Sequence, residues 1–392
     1  MKNNHLTILF SGLTLLVAAC NSGKGTGSNT TTDTVTTHAQ LVPDSANFKQ
    51  TISGKQVDLY LLKNKNNVTV AITNFGGRLV SLVVPDSSGK PTDVILGHDS
   101  LSEYVNPKPN ENYYGAIIGR YGNRIAKGQF TLEGKSYQLD INDKVNTLHG
   151  GLSGFYSRVF DAKQISAQQL ELTYVSKDGE SHFPGNLSVK VVYTLSDDNA
   201  LKIEYTATTD KTTVINLTNH AYFNLNGAGN KTITDNLLRI DADNILPVDS
   251  TLIPTGKLEP VKGTPFDFTK MKMIGTDIGK ADPQLTNGKG YDHNFVLNKH
   301  DMSQSVATVK STVTGISMDV YTDEPGLQFY SGNFLTDAYK NGKGGLGYPY
   351  RSALCLETQH FPDSPNEPSF PTTVLKPGET YHTVTIYKFS NK

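Results

Sequence analysis

The amino-acid sequence predicts an all-β fold, a single large antiparallel β-sandwich. Three observations predict it: apolar and polar residues alternate with a period of two from Phe48 onward, turn-forming residues separate two such segments, and amphipathic helical windows are scarce. Neither a repeat of fixed period nor an interior linker interrupts the pattern. We therefore expect one domain over residues 47–392, with extra strands and long loops.

The N-terminus predicts export. Lys2 supplies a short positive region, residues 6–19 form an apolar stretch that is short for a bilayer span, and small residues precede Cys20. This pattern resembles a bacterial lipoprotein signal, so we expect a signal peptide at residues 1–19 and a lipid on Cys20; the alternative is an ordinary signal peptide with an incidental Cys20. Residues 20–46 are rich in Gly, Ser and Thr and predict a flexible tether. The expected location is a bacterial membrane, on its periplasmic or cell-surface side.

The strand pattern is clearest in four segments of the body. They are residues 68–72, 187–195, 201–205 and 381–387. Half-buried strands show this alternation because successive side chains point to opposite faces of a sheet. Residues 196–200 (Ser-Asp-Asp-Asn-Ala) join the second and third segments and are typical of a hairpin turn, whereas residues 101–105 predict a short helix.

The composition excludes several classes of partner. The formal net charge is −1, and the chain has no basic stripe, zinc-finger spacing or basic helix, so nucleic-acid binding is not expected. Cys20 and Cys355 are the only cysteines. If Cys20 carries lipid, Cys355 has no partner and the fold depends on its core rather than on disulfides. The 10 histidines show no zinc-ligand spacing, so a zinc enzyme is disfavoured.

One acid, Glu357, ends an apolar run. Residues 353–356 suit a buried strand, and Pro362 and Pro365 predict that this strand stops at Glu357. We therefore expect a half-desolvated carboxyl group. Burial raises the pKa of such a group and makes it a usable base near neutral pH; alternatively the group is one half of a structural ion pair, with Arg124 as the partner.

Four loop-like clusters carry polar residues that a turn alone does not require. They are residues 119–125 (Gly-Arg-Tyr-Gly-Asn-Arg-Ile), 146–151 (Asn-Thr-Leu-His-Gly-Gly), 216–225 (Asn-Leu-Thr-Asn-His-Ala-Tyr-Phe-Asn-Leu) and 290–295 (Gly-Tyr-Asp-His-Asn-Phe). Taken singly, a histidine in an apolar segment is more often a core residue, and a Gly-flanked histidine is often a turn residue. The chain has no nucleophile elbow, metalloprotease motif, P-loop or dinucleotide fingerprint.

Taken with two further segments of the sequence, these four clusters are specific enough to indicate a family. Residues 119–125, 146–151, 216–225, 290–295, 325–330 and 356–366 resemble the motifs of the aldose 1-epimerase (galactose mutarotase) family. They occur in the order of that family and spread over most of residues 48–392. The resemblance implies the family's fold, a galactose mutarotase-like supersandwich, which agrees with the strand pattern.

The resemblance also implies an activity and two catalytic roles. Aldose 1-epimerases interconvert the α and β anomers of an aldose such as D-glucose or D-galactose by opening the ring and closing it on the other face. Glu357 is implied as the base at O1 and His220 as the acid at O5, and these roles are exchanged when the ring closes. His149 and Arg124 are implied near the reacting oxygens, where they stabilise developing charge. The residues implied to contact sugar hydroxyls or line the site are Asn123, Tyr222, Asp292 and Gln328.

The expected partner is a monosaccharide, and we expect a monomer. No metal or organic cofactor is required by the implied reaction, although a structural cation such as calcium, held by loop carbonyls and acids, stays open. Two alternatives are a glycoside hydrolase, with Glu357 and Asp292 as its carboxyl pair, and a non-catalytic sugar-binding lipoprotein. The sequence does not determine which aldose is preferred.

Overall fold

The computed structural model describes residues 41–230 and 232–391, and nearly all of their regular structure is β-strand. The expected signal peptide, Cys20 and residues 20–40 of the expected tether lie outside the described residues. The two α-helices of the described part are α1 (Leu101–Val105) and α2 (Pro283–Gly288). Neither helix of this part has the length and hydropathy needed to cross a membrane. The helix predicted at residues 101–105 is confirmed as α1.

The strands are short, and most are joined by turns or single-turn 3-10 helices. In chain order the strands are β1 (Gln50–Ile52), β2 (Lys55–Val57), β3 (Leu59–Lys63), β4 (Thr69–Thr73), β5 (Arg78–Pro85), β6 (Pro91–Asp93), β7 (Ile117–Ile118), β8 (Arg124–Ile125), β9 (Gln129–Leu132), β10 (Lys135–Gln138), β11 (Thr147–Leu148), β12 (Asp161–Ser166), β13 (Gln169–Ser176), β14 (Leu187–Leu195), β15 (Ala200–Thr209), β16 (Thr213–Val214), β17 (Thr218–Asn219), β18 (Leu237–Ile240), β19 (Ala242–Ile245), β20 (Glu259–Pro260), β21 (Lys272–Met273), β22 (Asp292–Leu297), β23 (Ala307–Lys310), β24 (Ser317–Thr322), β25 (Gly326–Tyr330), β26 (Cys355–Gln359), β27 (Val374–Leu375) and β28 (Tyr381–Ser390). The 3-10 helices span Ser45–Phe48, Ala126–Gly128, Phe155–Ser157, Glu180–His182, Ile274–Thr276, Lys343–Gly345 and Ser364–Asn366.

Three large sheets form most of the body that the structure describes, beside five two-stranded sheets. A nine-stranded sheet has the order β12-β13-β14-β15-β28-β24-β23-β18-β21, a five-stranded sheet has the order β20-β19-β22-β25-β26, and a four-stranded sheet has the order β3-β4-β5-β6. The pairings within these three sheets are antiparallel. The predicted all-β antiparallel sandwich is confirmed.

The central hairpin follows the pattern of the sequence closely. β14 spans Leu187–Leu195 and alternates buried and more exposed residues along its length. β15 begins at Ala200 after the Ser196–Asn199 turn, in which the Ser196 N–H donates to the Ala200 carbonyl at 2.9 Å and Asn199 has φ 64°. An asparagine tolerates this left-handed conformation better than most residues, which explains its place in the turn.

β4 is buried on both faces, where the sequence predicted a half-buried strand. All five of its residues are buried. Val70 and Ile72 point into the main core, whereas Ala71 belongs to a second core cluster that also contains Phe48 and Tyr104. Alternation reports side-chain polarity, and small or hydroxyl-bearing residues such as Thr69 and Ala71 fit a buried face as well as a solvated one.

The main core lies between the large sheet and the two smaller sheets. Its members include Val191 from β14, Leu79 from β5 and Phe329 from β25. Side chains of the large sheet also donate hydrogen bonds to backbone of the smaller sheets. Tyr387 Oη donates to the Leu356 carbonyl at 3.0 Å, and Tyr193 Oη donates to the Gly77 carbonyl at 2.7 Å. These bonds satisfy the hydroxyl groups of buried tyrosines and fix the smaller sheets on the large one.

The body begins a few residues before the predicted start of the domain. Within residues 41–46, Pro43 is buried and Val42 packs against the second core cluster. Asp44 caps the first 3-10 helix by accepting from the Ala46 N–H at 2.9 Å, and Phe48 at its end is fully buried. Residues 41–46 therefore belong structurally to the folded body.

Candidate active site

A cavity of about 230 Å³ opens where the five-stranded sheet meets three of the loop clusters. Seven of the residues proposed from the sequence line it: Asn123, Arg124, His149, His220, Tyr222, Asp292 and Glu357. The six sequence strings are separated by up to hundreds of residues, so only the fold brings these side chains together. Gln328, the eighth residue proposed from the sequence, is buried and is not among the residues that line this cavity.

The five-stranded sheet positions the acids. Asp292 begins β22 and pairs with Tyr330 of β25, while Gln328 of β25 pairs with Glu357 of β26. Paired residues and residues two apart share a face, so these side chains lie on one face of the sheet. The other face carries core residues such as Phe329 and Leu356.

The sequence predicted that the strand stops at Glu357. In the structure, Glu357 lies in the middle of its strand, β26. β26 continues to Gln359, and the Asp363 N–H then donates to the Arg124 carbonyl at 2.8 Å. The side chain is also more buried than expected, because Glu357 is only 2 % exposed. Pro362 and Pro365 do not end the strand at Glu357, because ladder bonds to β25 hold residues 358 and 359 extended.

Two loop clusters are joined by a short antiparallel pair. Leu148 of β11 pairs with Arg124 of β8. Beyond this pair the His149 N–H donates to the Asn123 carbonyl at 2.9 Å, and the Asn123 N–H donates to His149 Nδ1 at 3.2 Å. Asn123 and His149 have φ of 59° and 53°, so both turn back into the cavity directly after the pair.

His220 is held by backbone bonds on two sides. It follows β17, and its own N–H donates to the Ala116 carbonyl at 2.9 Å while its carbonyl accepts from Gly115 at 3.0 Å. Three residues later Phe223 exchanges two backbone bonds with Leu354, which leads into β26. This second contact joins the segment of His220 to the strand of Glu357.

The imidazole of His220 and the carboxyl of Glu357 face each other, with His220 Nε2 at 3.7 Å from Glu357 Oε1. Burial and the neighbouring Asp292 carboxyl raise the pKa of Glu357 well above its usual range. Burial lowers the pKa of His220 to about 3. Burial therefore disfavours the charged form of both groups.

His149 presents a hydrogen-bond donor to the site. Its Nδ1 accepts from the Asn123 N–H, so the neutral ring carries its proton on Nε2. Burial and the neighbouring charges of His220 and Arg124 lower the pKa of His149, which keeps the ring neutral. His149, His220 and Glu357 offer ligand atoms within 4.8 Å of one another, a grouping that the sequence spacing did not show. A metal ion there would need the Nε2 lone pair of His149, which this tautomer does not provide.

Arg124 pairs with Asp143, and the sequence alternative of a direct pair with Glu357 is wrong. Arg124 Nε donates to Asp143 Oδ2 at 2.8 Å. The Arg124 charge nevertheless lowers the pKa of Glu357 in opposition to burial. A cation held by one acid at the edge of the cavity can therefore stabilise negative charge that develops within it.

Gln328 holds Asp292 from the neighbouring strand β25. Its Nε2 donates to Asp292 Oδ1 at 2.7 Å, and its own side chain is buried. Burial raises the pKa of Asp292, and the charge of Arg124 opposes that rise. This hydrogen bond orients Asp292, and the role of Gln328 in lining the sugar site stays a prediction.

Tyr113 is the main residue that the sequence reasoning missed. Its ring stacks on His220 at 5.7 Å and meets His149 edge-on at 4.6 Å, while Tyr222 stacks on His220 at 4.8 Å. His220 thus lies between two nearly parallel tyrosine rings. The signal available was the Tyr113-Tyr114-Gly115 run within a polar segment. The other cavity residues missed are Asn110, Asp143, Lys144, Leu148, Leu252, Asn287, Lys289, Tyr330 and Phe334.

The arrangement supports acid–base chemistry on a polyhydroxylated substrate. A buried carboxyl and a buried imidazole face each other in one cavity, flanked by a cation and a neutral N–H donor. A further carboxyl, Asp292, can accept hydrogen bonds from hydroxyl groups. Tyrosine rings supply apolar faces for the carbon skeleton of the substrate.

Most of the chain is similar in sequence to known sugar epimerases. A sequence model of the family described as aldose 1-epimerase matches residues 58–388. Mouse galactose mutarotase is 45% identical over 337 residues, which are 86% of this chain and 95% of the mouse protein. The aldose 1-epimerase of Escherichia coli K12 is 39% identical over 339 residues, covering 86% of this chain and 96% of that protein.

Solved structures agree with the sequence comparison. The crystal structure of an aldose epimerase homologue from C. elegans superposes with a TM-score of 0.78 at 30% identity, covering 86% of this chain and 99% of the other. The galactose 1-epimerase of Lactobacillus acidophilus superposes with a TM-score of 0.76 at 28% identity, covering 87% and 96%. These matches leave the glycoside hydrolase and the non-catalytic binding protein without support. The chain belongs to the aldose 1-epimerase family and is an isomerase that interconverts the anomers of aldoses.

Proposed function

We propose that Glu357 and His220 carry out ring opening by moving two protons in opposite directions. The base Glu357 takes the proton of the O1 hydroxyl while the acid His220 gives its proton to the ring oxygen O5, so the C1–O5 bond breaks and an aldehyde forms. Rotation about the C1–C2 bond then exposes the other face of the aldehyde. Reclosure reverses both proton transfers and gives the other anomer.

The placement of the Glu357 carboxyl and the His220 imidazole, which face each other while buried in one cavity, is the observation that carries this proposal. Opening begins with the proton on His220 and ends with a proton on Glu357, and closing runs the other way. Both arrangements have the same net charge, so burial opposes the exchange less than it opposes a net ionisation. The 3.7 Å approach of the two groups supports direct coupling of their titrations.

The surrounding residues would stabilise charge and hold hydroxyl groups. His149 would donate a hydrogen bond from its Nε2–H to the oxygen that becomes negative. Arg124 would stabilise the same oxygen with its positive charge. Asp292 would accept hydrogen bonds from sugar hydroxyls, in an orientation maintained by Gln328. Asn123 and Tyr222 complete the wall around the sugar.

The preferred substrates are proposed to be D-galactose and D-glucose. Polarimetry that starts from the pure α anomer of each sugar, with D-xylose and L-arabinose for comparison, should show faster equilibration with enzyme and the highest kcat/KM for the two hexoses. A preference for a pentose over both hexoses would contradict the substrate assignment. Release of reducing sugar from a polysaccharide would instead favour a hydrolase.

Replacing Asp292 with asparagine should raise KM by about 10- to 100-fold, because a charge-assisted hydrogen bond contributes about 1.5–3 kcal/mol. We expect kcat to change much less, and Gln328→Ala should raise KM by a smaller factor because it only frees the Asp292 carboxyl. Initial rates over a range of sugar concentrations give both constants. A loss of kcat at unchanged KM would contradict a binding role for Asp292.

We further propose that the chain is exported and anchored to a bacterial membrane through lipid on Cys20, with residues 21–40 as the tether. The proposal is supported by the sequence before Cys20 and by the folded body that begins shortly after this segment. In a bacterial host, the full chain should sediment with membranes, whereas Cys20→Ser should be recovered in the soluble fraction with the same activity per molecule. Equal membrane recovery of both forms would refute lipid anchoring at Cys20.

A further inference from the structure

Arg78 lies beneath the proposed acid and is fully enclosed by protein. It begins β5 and is only 1 % exposed. Burial lowers its pKa to about 10, so the guanidinium still carries its charge at neutral pH. Among the described residues, the ionisable groups that act on its pKa are four tyrosines, Tyr104, Tyr113, Tyr156 and Tyr222. A buried cation without a carboxylate beside it is costly, so its retention calls for a physical reason.

The guanidinium binds the backbone of the segment that packs against His220. Arg78 Nη1 donates to the Tyr114 carbonyl at 2.9 Å, and Nη2 donates to the Asn112 carbonyl at 2.8 Å. Nη2 also donates to the Tyr156 carbonyl at 2.7 Å. One side chain thus joins residues 112–114 to a loop that lies forty residues further along the chain. Lysine, with a single charged nitrogen, cannot reproduce this planar fork.

The segment held in this way determines where the His220 ring lies. Tyr113 stacks on one side of His220 and also meets Tyr156 edge-on at 5.1 Å. Tyr114 meets Tyr222 edge-on at 4.8 Å, and Tyr222 stacks on the other side of His220. The backbone of the same segment bonds to that of His220 through Gly115 and Ala116. A shift of residues 112–116 would therefore move both rings and the His220 backbone.

We infer that Arg78 is a positioning residue for the reaction: its fork fixes the two tyrosine rings around His220, and its charge opposes a second proton on the Glu357–His220 pair. This inference rests on the proposed role of His220. The role of the charge is supported by the burial of both residues, since Arg78 is 1 % and His220 is 5 % exposed and a low-dielectric interior strengthens the interaction of charges. The effect of Arg78 on the pKa of His220 has the matching direction, since its charge lowers that pKa.

The groups that face His220 come from several elements. They are Glu357 from β26, His149 after β11, Tyr113 from the 112–116 segment, Tyr222 from its own segment and Tyr330 from β25. Burial raises the pKa of the three tyrosines, which therefore stay neutral across the working range. Burial keeps His149 neutral as well, so Arg78 supplies the charge that lowers the pKa of His220, while the Glu357 carboxyl faces the ring.

The test compares Arg78→Gln, which removes the charge and the fork, with Arg78→Lys, which keeps the charge and removes the fork. Both should lower kcat by about tenfold or more with KM within about twofold, because an acid that is misplaced loses transition-state contacts. Only Arg78→Gln should move the acid limb of the kcat/KM profile to higher pH, on the order of one unit.

Arg120→Gln is the matched control, since Arg120 is also buried and binds carbonyl oxygens, among them Pro184 at 2.7 Å. It should leave the acid limb unchanged.

Two results would overturn the inference. One is an Arg78→Lys variant with the kcat of the natural protein, and the other is a folded Arg78→Gln variant whose acid limb has not moved. If Arg78→Gln does not fold, the kcat of Arg78→Lys alone tests the positioning role of Arg78. His220→Asn is measured alongside: if it is inactive, a negative result at Arg78 refutes this inference alone, whereas an active His220→Asn refutes the proposed mechanism itself.

Discussion

Replacing Glu357 with glutamine should lower kcat for anomer interconversion by about 10²- to 10⁴-fold, and His220→Asn should have an effect of the same size. Each substitution preserves much of the side-chain shape and removes one proton transfer. Since ring opening needs both proton transfers, the double variant should lose little more than either single variant. The measurement is polarimetry from pure α-D-glucose or α-D-galactose, corrected for the spontaneous rate.

A buried acid outside the cavity provides the matched control. Glu111 is 5 % exposed, and burial raises its pKa, but it bonds to Asn341 and does not line the cavity. Glu111→Gln should keep kcat within about threefold. Glu357→Gln should fold at least as stably as the natural protein, because it replaces a carboxyl whose ionisation burial already opposes. Near-full mutarotation by either single variant would contradict the assignment of acid and base.

Asp93→Ala should lower the free energy of unfolding by about 3–5 kcal/mol, because it leaves a buried lysine charge without its partner. Lys343 and Asp93 form an ion pair in which both side chains are more than nine-tenths buried. The Lys343 ammonium also donates to the carbonyls of Val80 and Ile95 at 2.8 Å each. Urea unfolding at neutral pH, followed by far-UV circular dichroism, gives the change in stability.

An exposed ion pair provides the control for this experiment. Lys65 and Asp197 lie 3.0 Å apart with side chains 71% and 45% exposed. Lys65→Ala should change stability by less than about 1 kcal/mol, because solvent and salt screen such a pair. Replacing both Asp93 and Lys343 by apolar residues should recover part of the loss. A loss below about 1 kcal/mol for Asp93→Ala would show that the buried pair does not stabilise the fold as described.

The strands were predictable where one face of the sheet meets solvent. β14 and β15 follow the predicted segments because polarity alternates when every second side chain is solvated. The same rule failed for β4, which is covered on both faces. Whether a second layer covers a strand depends on packing between distant segments, and no local pattern in residues 68–72 reports it.

The candidate site was predictable as a set of residues and not as a set of contacts. The sequence strings identified Glu357, His220 and Asp292 correctly as cavity residues. They did not reveal that Arg124 pairs with Asp143, or that Gln328 donates a hydrogen bond to Asp292. Tyr113 escaped notice because a tyrosine in an irregular segment carries no periodic or motif signal, although its ring packs against His220.

By itself, the sequence determined the all-β class, the hairpin of the large sheet and the chemical groups that the family motifs supply. These properties depend on local alternation, on turn residues and on side-chain chemistry, all of which are written in neighbouring positions. Only the tertiary structure decided that Glu357 is a fully buried, mid-strand carboxyl facing His220, and that Arg78 supports the segment around that histidine. Burial and charge partners arise when the register of the sheets brings distant residues together, and they set the proton affinities on which the proposed reaction depends.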